Sequence, residues 1–281
     1  SWLNDEQVTT TVAPQSGRGI TFEGIRYDVN EQDGATTLTL AACNSDIKAV
    51  KIPQTINYNG KDCPVTTIGV RSMSYNKLEY LLVPSSVTRV ENNAFHESSS
   101  LKEVVFADAE TKLWLGDDND FAPDEELFYA CPVEKVYIGR NLAWDGSVWH
   151  DEPFEAHDNL ADITFGPRVT IVGNVDDPTC YNPELFNGCE DVQRYSFLGD
   201  EKSLGTEIKF HCCEGMSHAS DAYINRDLEA SKYTEYTLYS SGNGISDKTT
   251  TVTYGPFVTY VTPKMYSGYG ATPNSYLKTV D

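Results

Sequence analysis

The sequence predicts a β-rich solenoid, in which short strands from successive turns stack into one sheet. Three observations predict this fold: an apolar pattern that recurs about every 30 residues, linking turns that repeat with it, and a duplicated block of three turns. The chain has 42 acidic and 21 basic residues, for a net charge of -21. Such a surface repels phosphate backbones and anionic lipids, which disfavours nucleic acid and membrane surfaces as partners.

The recurring pattern is an apolar residue, two others, and then an apolar–x–apolar triplet, as in LKEVVF. Apolar residues two apart point to the same side of a strand, so each copy predicts a short strand with one buried face. One such strand cannot bury that face alone, whereas stacked neighbours can. The copies end at Ile52, Val83, Phe106, Ile138, Phe165, Phe197, Ile224 and Tyr254, with a ninth, shorter copy at Val280.

The linking turns repeat a V-T-x-[IV] motif and a large apolar residue after it. Three residues after that position, FYAC, FNGC and FHCC place Cys131, Cys189 and Cys213 at one equivalent site, which Ser98 and His157 occupy in other turns. This predicts a small buried ladder, since a free cysteine packs as a compact apolar residue. The cysteine spacing does not predict a disulfide framework, and the redox state of the remaining cysteines stays open: Cys43, Cys63, Cys180 and Cys212.

A longer phrase occurs twice: VYIGRNLAW begins at Val136 and AYINRDLEA begins at Ala222. ITFGPRVT follows the first copy and VTYGPFVT follows the second, which indicates duplication of a three-turn block. Arg140 and Arg226 recur at one position, and we expect them to donate hydrogen bonds to loop carbonyls between turns.

Three regions are predicted along the chain: a flexible leader over 1–19, a cap with an entry turn over 20–64, and the solenoid over 65–281. The leader is polar and threonine-rich. ITFEGIRYDVNEQDGATTLTLAA alternates apolar and polar residues around a glycine-containing turn, which predicts a β-hairpin. Solenoids need a cap over their first apolar face, and we assign the hairpin that role.

The turns resemble BspA-type leucine-rich repeats, with a pattern of roughly V-T-x-I-G-x-x-x-F-x-x-C-x-x-L-x-x-V-x-I-P. VTRVENNAFHESSSLKEVVF follows it closely, and the resemblance covers about residues 45–281. It implies a right-handed leucine-rich-repeat solenoid, an α/β-type horseshoe with few short helices. The family occurs on secreted and surface proteins of Bacteroides-like bacteria and some protists. The resemblance therefore implies adhesion at an extracellular or outer cell-surface location, with the signal peptide already removed.

The predicted binding surface is the outward side of the stacked strands, because repeat proteins bind through such extended surfaces. Leu82, Val105 and Tyr137 predict an exposed apolar patch there, a docking site for an extracellular protein or glycan. β propensity alone would also favour these residues on a sheet. The candidate binding residues on this side are Tyr80, Leu82, Val105, Lys135, Tyr137 and Tyr223.

A second hypothesis is a carbohydrate or calcium site in the loop NLAWDGSVWHDEPF, where Trp144 and Trp149 lie close to acids. The alternative is that one or both indoles pack over an irregular turn. HCCEGMSH suits zinc poorly because its cysteines are adjacent. No nucleophile elbow or phosphate-binding loop occurs. We therefore predict a non-catalytic protein without a metal or cofactor, and no run of apolar residues is long enough to span a bilayer.

Overall fold

The structure, a computed structural model, describes residues 9–12, 19–116, 127–145, 153–154, 157–177, 185–186, 189–211, 219–229, 251–260 and 279–280. In chain order its strands are β1 (Thr9–Val12), β2 (Gly19–Phe22), β3 (Ile25–Gln32), β4 (Ala35–Cys43), β5 (Ala49–Lys51), β6 (Thr55–Tyr58), β7 (Lys61–Ile68), β8 (Tyr80–Val83), β9 (Arg89–Val90), β10 (Glu103–Phe106), β11 (Leu113–Leu115), β12 (Lys135–Ile138), β13 (Leu142–Ala143), β14 (Asp162–Phe165), β15 (Ile171–Val172), β16 (Arg194–Phe197), β17 (Lys209–Phe210), β18 (Asp221–Ile224), β19 (Thr251–Tyr254) and β20 (Thr279–Val280).

The long sheet contains nine parallel strands in the order β5-β8-β10-β12-β14-β16-β18-β19-β20. Each of them overlaps one apolar segment of the sequence, including the short ninth copy, so the predicted stack is confirmed. The pairing is in register: Val104 lies beside Val136, and Phe165 lies beside Phe197. Because side chains alternate along a strand, this register places one buried apolar column behind the sheet.

The second sheet has the order β13-β11-β9-β7-β4-β3-β2, and β6 joins it through β7. Its strands β7 and β9 contain the V-T-x-[IV] turns, and β15 and β17 form a separate pair from later turns. Among the described residues one 3-10 turn, Glu201–Ser203, is the only helix. The fold is therefore a β-solenoid with almost no helix, which is consistent with a leucine-rich-repeat solenoid, while the hand of its coil stays a prediction.

The predicted N-terminal hairpin is present and contains three antiparallel strands rather than two, since β2 pairs with β3 and β3 pairs with β4. Asp33 and Gly34 turn the chain between β3 and β4, both with positive φ of 51° and 80°, as a two-residue type I′ hairpin requires. β4 then pairs with β7, which joins the hairpin to the second sheet. Within the predicted leader, β1 pairs with β6. The capping role and the domain boundaries stay predictions.

The core lies between the sheets and contains a column of phenylalanines from the linking turns. The ring of Phe128 stacks on Phe95 at 5.0 Å and on Phe154 at 4.8 Å, and Phe154 stacks on Phe186 at 5.6 Å. All four side chains are fully buried. One aromatic residue per turn thus fills the interior and keeps successive turns aligned.

The cysteine ladder is confirmed for the residues that the structure describes. The thiol of Cys131 donates to the carbonyl of Phe95 at 3.0 Å, and the thiol of Cys189 donates to the carbonyl of Phe154 at 2.9 Å. Ser98 makes the equivalent hydrogen bond one turn earlier, and Cys213 lies outside the described residues. Each side chain of this column therefore ties its turn to the preceding one. The free cysteines among the described residues are Cys43, Cys63, Cys131 and Cys189.

Candidate binding groove on the long sheet

The outward face of the long sheet is formed by two columns of side chains that the register aligns across the strands. The first column runs through Lys51, Leu82, Val105, Tyr137, Thr164, Ser196, Tyr223 and Thr253. The second runs through Tyr80, Glu103, Lys135, Asp162, Arg194 and Asp221. Charge alternates in sign along this second column from Glu103 to Asp221, so oppositely charged residues are neighbours on adjacent strands.

The apolar patch predicted to be exposed is in fact packed against itself. Leu82, Val105 and Tyr137 are 5%, 3% and 7% exposed, and together with Tyr80 they form a cluster that is separate from the main core. The physical reason is the strand spacing of about 4.8 Å, which presses large side chains on neighbouring strands against one another. The expected flat apolar surface is therefore replaced by a filled region and a groove beside it.

The groove begins at this cluster and has a volume of about 440 Å³. Thr164 and Ser196 lie on the two strands between Tyr137 and Tyr223. Small side chains on these two middle strands leave a gap between the two tyrosines that large residues would close. The lining residues are Glu103, Val105, Lys135, Tyr137, Thr164, Arg194, Ser196, Leu198 and Tyr223.

The side chain of Tyr137 is held by a hydrogen bond to a residue that follows the neighbouring strand β10. Its hydroxyl donates to the carboxylate of Asp108 at 2.6 Å. Burial, followed by the bond to Asp108, raises the pKa of Tyr137 well above its usual range. A Cβ atom at Gly166 would lie 2.5 Å from the hydroxyl and 2.4 Å from Oδ1 of Asp108. Glycine is therefore required at position 166 for the tyrosine and the aspartate to meet.

Arg194 supplies charge at the rim of the groove. Lys135 lies 4.0 Å from Glu103, whereas no ion pair joins Arg194 to a carboxylate among the described residues. Two of the three charged residues that line the groove are basic, although the chain as a whole carries a charge of -21. The groove is thus locally more basic than the rest of the protein.

The predicted binding residues divide into three groups. Val105, Lys135, Tyr137 and Tyr223 line the groove, while Tyr80 and Leu82 pack in the cluster beside it. Trp144 is 2% exposed and belongs to the main core. This supports the interpretation that it packs over a turn, because a buried indole offers no face to a ligand. Trp149 lies outside the described residues.

Two residues that shape the site escaped the sequence analysis. Leu198 lies two residues after Ser196 and so shares the outward face. It is the only large aliphatic residue at this position, where other turns have proline, alanine, glycine or asparagine, and that exception was a usable signal. Asp108 lies 29 residues from Tyr137 in the chain, and no sequence pattern connects the two.

The repeated arginines make the hydrogen bonds expected of them. Arg140 is fully buried and donates to the carbonyls of Val87 at 2.8 Å, Ser85 at 3.1 Å and Thr111 at 2.8 Å. Arg226 repeats the arrangement with the carbonyls of Val169 at 2.9 Å, Pro167 at 3.0 Å and Thr206 at 3.1 Å. Both guanidinium groups therefore satisfy carbonyls between turns.

Acidic side chains of the described residues form ion pairs rather than a metal site. Asp176, in the acidic segment NVDDPT, pairs with Lys112 at 2.6 Å. Within the described ranges, no group of three or more His, Cys, Asp or Glu side chains is arranged to hold a metal ion. HCCEGMSH lies largely outside those ranges. The same part of the chain contains no helix with the length and apolarity needed to cross a membrane.

Comparison with known proteins identifies the repeat. Residues 39–116 match the family described as BspA type Leucine rich repeat region (6 copies). Residues 39–116 are therefore similar to BspA-type leucine-rich repeats, and the resemblance predicted from the sequence is confirmed for this segment. No curated protein matches the chain.

Three solved structures are similar to this chain. A leucine-rich repeat protein from Bacteroides ovatus is 16% identical, with a TM-score of 0.36 over 84% of this chain and 71% of that one. A leucine rich cell surface protein from Faecalibacterium prausnitzii is 16% identical, with a TM-score of 0.35 over 81% and 79% of the two chains. The pneumococcal vaccine antigen PcpA is 14% identical, with a TM-score of 0.33 over 90% and 52%.

Proposed function

We propose that this chain is a non-catalytic recognition module, secreted or displayed at the cell surface, that adheres to an extracellular protein. The outward face of the long sheet is the binding surface. The observation that carries this proposal is the groove between Tyr137 and Tyr223, which is built from residues of five neighbouring parallel strands. Leucine-rich-repeat solenoids are binding modules in general, and their stacked strands supply a continuous surface.

The shape of the groove favours binding over catalysis. Its lining includes two tyrosines, two aliphatic residues and two small hydroxyl residues, which is the mixture of apolar surface and convergent polar groups that binding sites use. The hydroxyl of Tyr137 is engaged by Asp108 rather than presented to a ligand. The lining contains no histidine or cysteine that could act as a base or nucleophile.

The alternative of a carbohydrate or calcium site in the Trp144 loop gains no support. Trp144 is buried in the core, and a glycan platform needs an exposed ring face. The BspA-type repeats support a surface location through the family resemblance.

Site-specific crosslinking tests the proposal. A photoreactive amino acid replaces Thr164 in the groove, or Thr66 on β7 of the second sheet as a matched control at another half-buried threonine. Each variant is illuminated with an extract of extracellular matrix, and crosslinked proteins are identified by mass spectrometry. We expect a specific adduct from position 164 and none from position 66. Equal labelling at both positions, or none at either, would overturn the proposal.

A further inference from the structure

The part of the groove between Tyr137 and Tyr223, here called the slot, has the width of one side chain of a bound segment. Tyr137 and Tyr223 lie on strands separated by three strand spacings, or about 14 Å. The intervening floor consists of Thr164 and Ser196 only. The two tyrosine rings occupy part of this distance, and the gap that remains between them is wide enough for one aromatic ring.

The walls of the slot favour an apolar side chain. Val105 and Leu198 extend the apolar lining beyond the two tyrosines. A sugar would need to stack on a wide exposed ring face, but Tyr137 is only 7% exposed. An inserted aromatic ring needs only walls and a floor, which this slot provides.

Arg194, at the rim of the groove, favours a negatively charged group on the bound segment. Arg194 lies two residues before Ser196 on the same strand and the same face, at about 7 Å. Asp162 and Asp221 flank it in register, but neither lines the groove and neither pairs with it among the described ion pairs. An arginine in this position suits a carboxylate, which its planar guanidinium binds in bidentate fashion.

We infer that the groove receives an extended segment of the partner protein that inserts one aromatic side chain between Tyr137 and Tyr223 and sets a carboxylate against Arg194. In an extended segment, residues two apart share one side and lie about 7 Å apart, which equals the distance from Ser196 to Arg194. The recognised element is therefore an aromatic residue and an acidic residue separated by one position. This inference rests on the proposed function and specifies the partner's chemistry.

The duplicated block suggests a substitution that reduces the space in the slot, because the first copy has a larger residue at the equivalent position. Ser196 is equivalent to Val105 of the first copy, where valine packs on the outward face at 3% exposure. Ser196→Val should therefore fold normally and remove space from the floor. Arg194→Gln removes the charge and keeps a polar, though shorter, side chain, and Arg89→Gln on the second sheet serves as its control.

The experiment is selection of a phage-displayed random peptide library on the whole protein, followed by fluorescence polarisation with the selected peptides. We expect enrichment of aromatic–x–acidic or acidic–x–aromatic sequences. Binding should weaken about tenfold or more in Ser196→Val and in Arg194→Gln, and remain unchanged in Arg89→Gln. Circular dichroism and the urea midpoint confirm that each variant is folded.

The other outcomes separate this inference from the proposed function. If selected peptides crosslink to position 164 but lack the motif, or bind Ser196→Val and Arg194→Gln as tightly as the parent, the inference is wrong while the function stands. If no peptide is selected and an acidic-glycan array binds through the groove, both are wrong.

Discussion

The two copies of the duplicated block share a buried arginine network and differ at an outward position in the groove. The first copy contains β10, β12 and β14, and the second contains β16, β18 and β19. Arg140 and Arg226 bind equivalent carbonyls in the two copies, and Tyr137 is equivalent to Tyr223. At one outward position, however, the first copy has Val105 and the second copy has Ser196. The arginine is retained because each buried carbonyl needs a donor, whereas the outward position 196 accepts a small residue, which leaves a gap between the repeated tyrosines.

A second difference concerns how each tyrosine is supported. In the first copy Asp108 accepts the hydroxyl of Tyr137, and residue 139 is glycine. In the second copy the equivalent of Asp108 is Gly199, and the equivalent of Gly139 is Asn225. The Asn225 amide oxygen accepts the backbone N–H of Phe257 at 2.9 Å, and a Cβ at Gly255 would meet both that oxygen and the Tyr223 hydroxyl. In the first copy the polar side chain near the tyrosine hydroxyl, Asp108, follows the strand before that of the tyrosine. In the second copy it is Asn225, which follows the strand of the tyrosine itself.

The largest effect should come from the buried arginines. Arg140→Met leaves several buried carbonyls without a donor, and we expect a loss of about 3 kcal/mol or more in the free energy of unfolding. Arg226→Met should cost less, because the bond from its Nε to the carbonyl of Thr206 is 3.4 Å long. In the first copy, Nε of Arg140 lies 2.8 Å from the carbonyl of Thr111. Urea denaturation measures both losses, with the exposed Arg89→Met as control. A loss for Arg140→Met no greater than that control would show that the buried hydrogen bonds of Arg140 do not stabilise the fold.

Because the two copies carry their polar group at different positions, we expect Gly139→Asn and Asp108→Gly to compensate each other in part. A Cβ at Gly139 would lie 2.5 Å from Oδ1 and 2.6 Å from the backbone nitrogen of Asp108. We expect Gly139→Asn to cost about 2 kcal/mol. Adding Asp108→Gly, which recreates the second copy's arrangement, should restore about 1 kcal/mol or more relative to the sum of the single losses. A double-mutant cycle in urea measures this coupling, and strict additivity would contradict compensation.

Alkaline pH should destabilise the protein through ionisation of Tyr137, the tyrosine of the first copy. Burial raises the pKa of Tyr137, so above its ordinary pKa of 10.0 the unfolded chain ionises while the folded tyrosine stays neutral. Stability contributed by this group is complete below pH 10 and falls as the pH rises further. Burial also raises the pKa of Tyr80 to about 12, which places its part of the loss between pH 10 and 12.

Tyr137→Phe isolates the contribution of that hydroxyl. The variant should be less stable than the parent at neutral pH, since it loses the bond to Asp108, and the difference should shrink as the pH rises above 10. Urea midpoints from pH 7 to 11 measure this. A difference that stays constant with pH would show that Tyr137 ionises as easily in the folded protein as in the unfolded chain.

The smallest effect should come from the ladder that links the turns. Ser98 already makes the bond that Cys131 and Cys189 make, so Cys131→Ser and Cys189→Ser should each change stability by about 1 kcal/mol or less. Thermal denaturation compares these variants with Cys131→Leu, in which a larger apolar side chain has no donor. If Cys131→Ser destabilised the protein as much as Cys131→Leu, the ladder would not be a set of interchangeable donors.

The sequence predicted the strands and the interior because those depend on local pattern. A period of two fixed the buried face of each segment, and recurrence of Arg140 and Cys131 at equivalent positions indicated internal roles. The outward face depended instead on which side chains of different turns meet. Leu82 and Val105 looked exposed in one strand but pack together across two, and the contact of Tyr137 with Asp108 depends on glycine at 166. Those features follow from stacking distance rather than from the pattern within any one turn.

Crosslinking at two equivalent threonines of the duplicated block tests whether the groove is the binding site. Thr164 lies on the floor of the groove, and its second-copy equivalent Thr253 lies on the same sheet outside the lining. With a photoreactive residue at each position in turn, we expect a partner protein to be captured strongly at 164 and weakly at 253. Stronger capture at 253 would show that the gap between Tyr137 and Tyr223 is not the binding site.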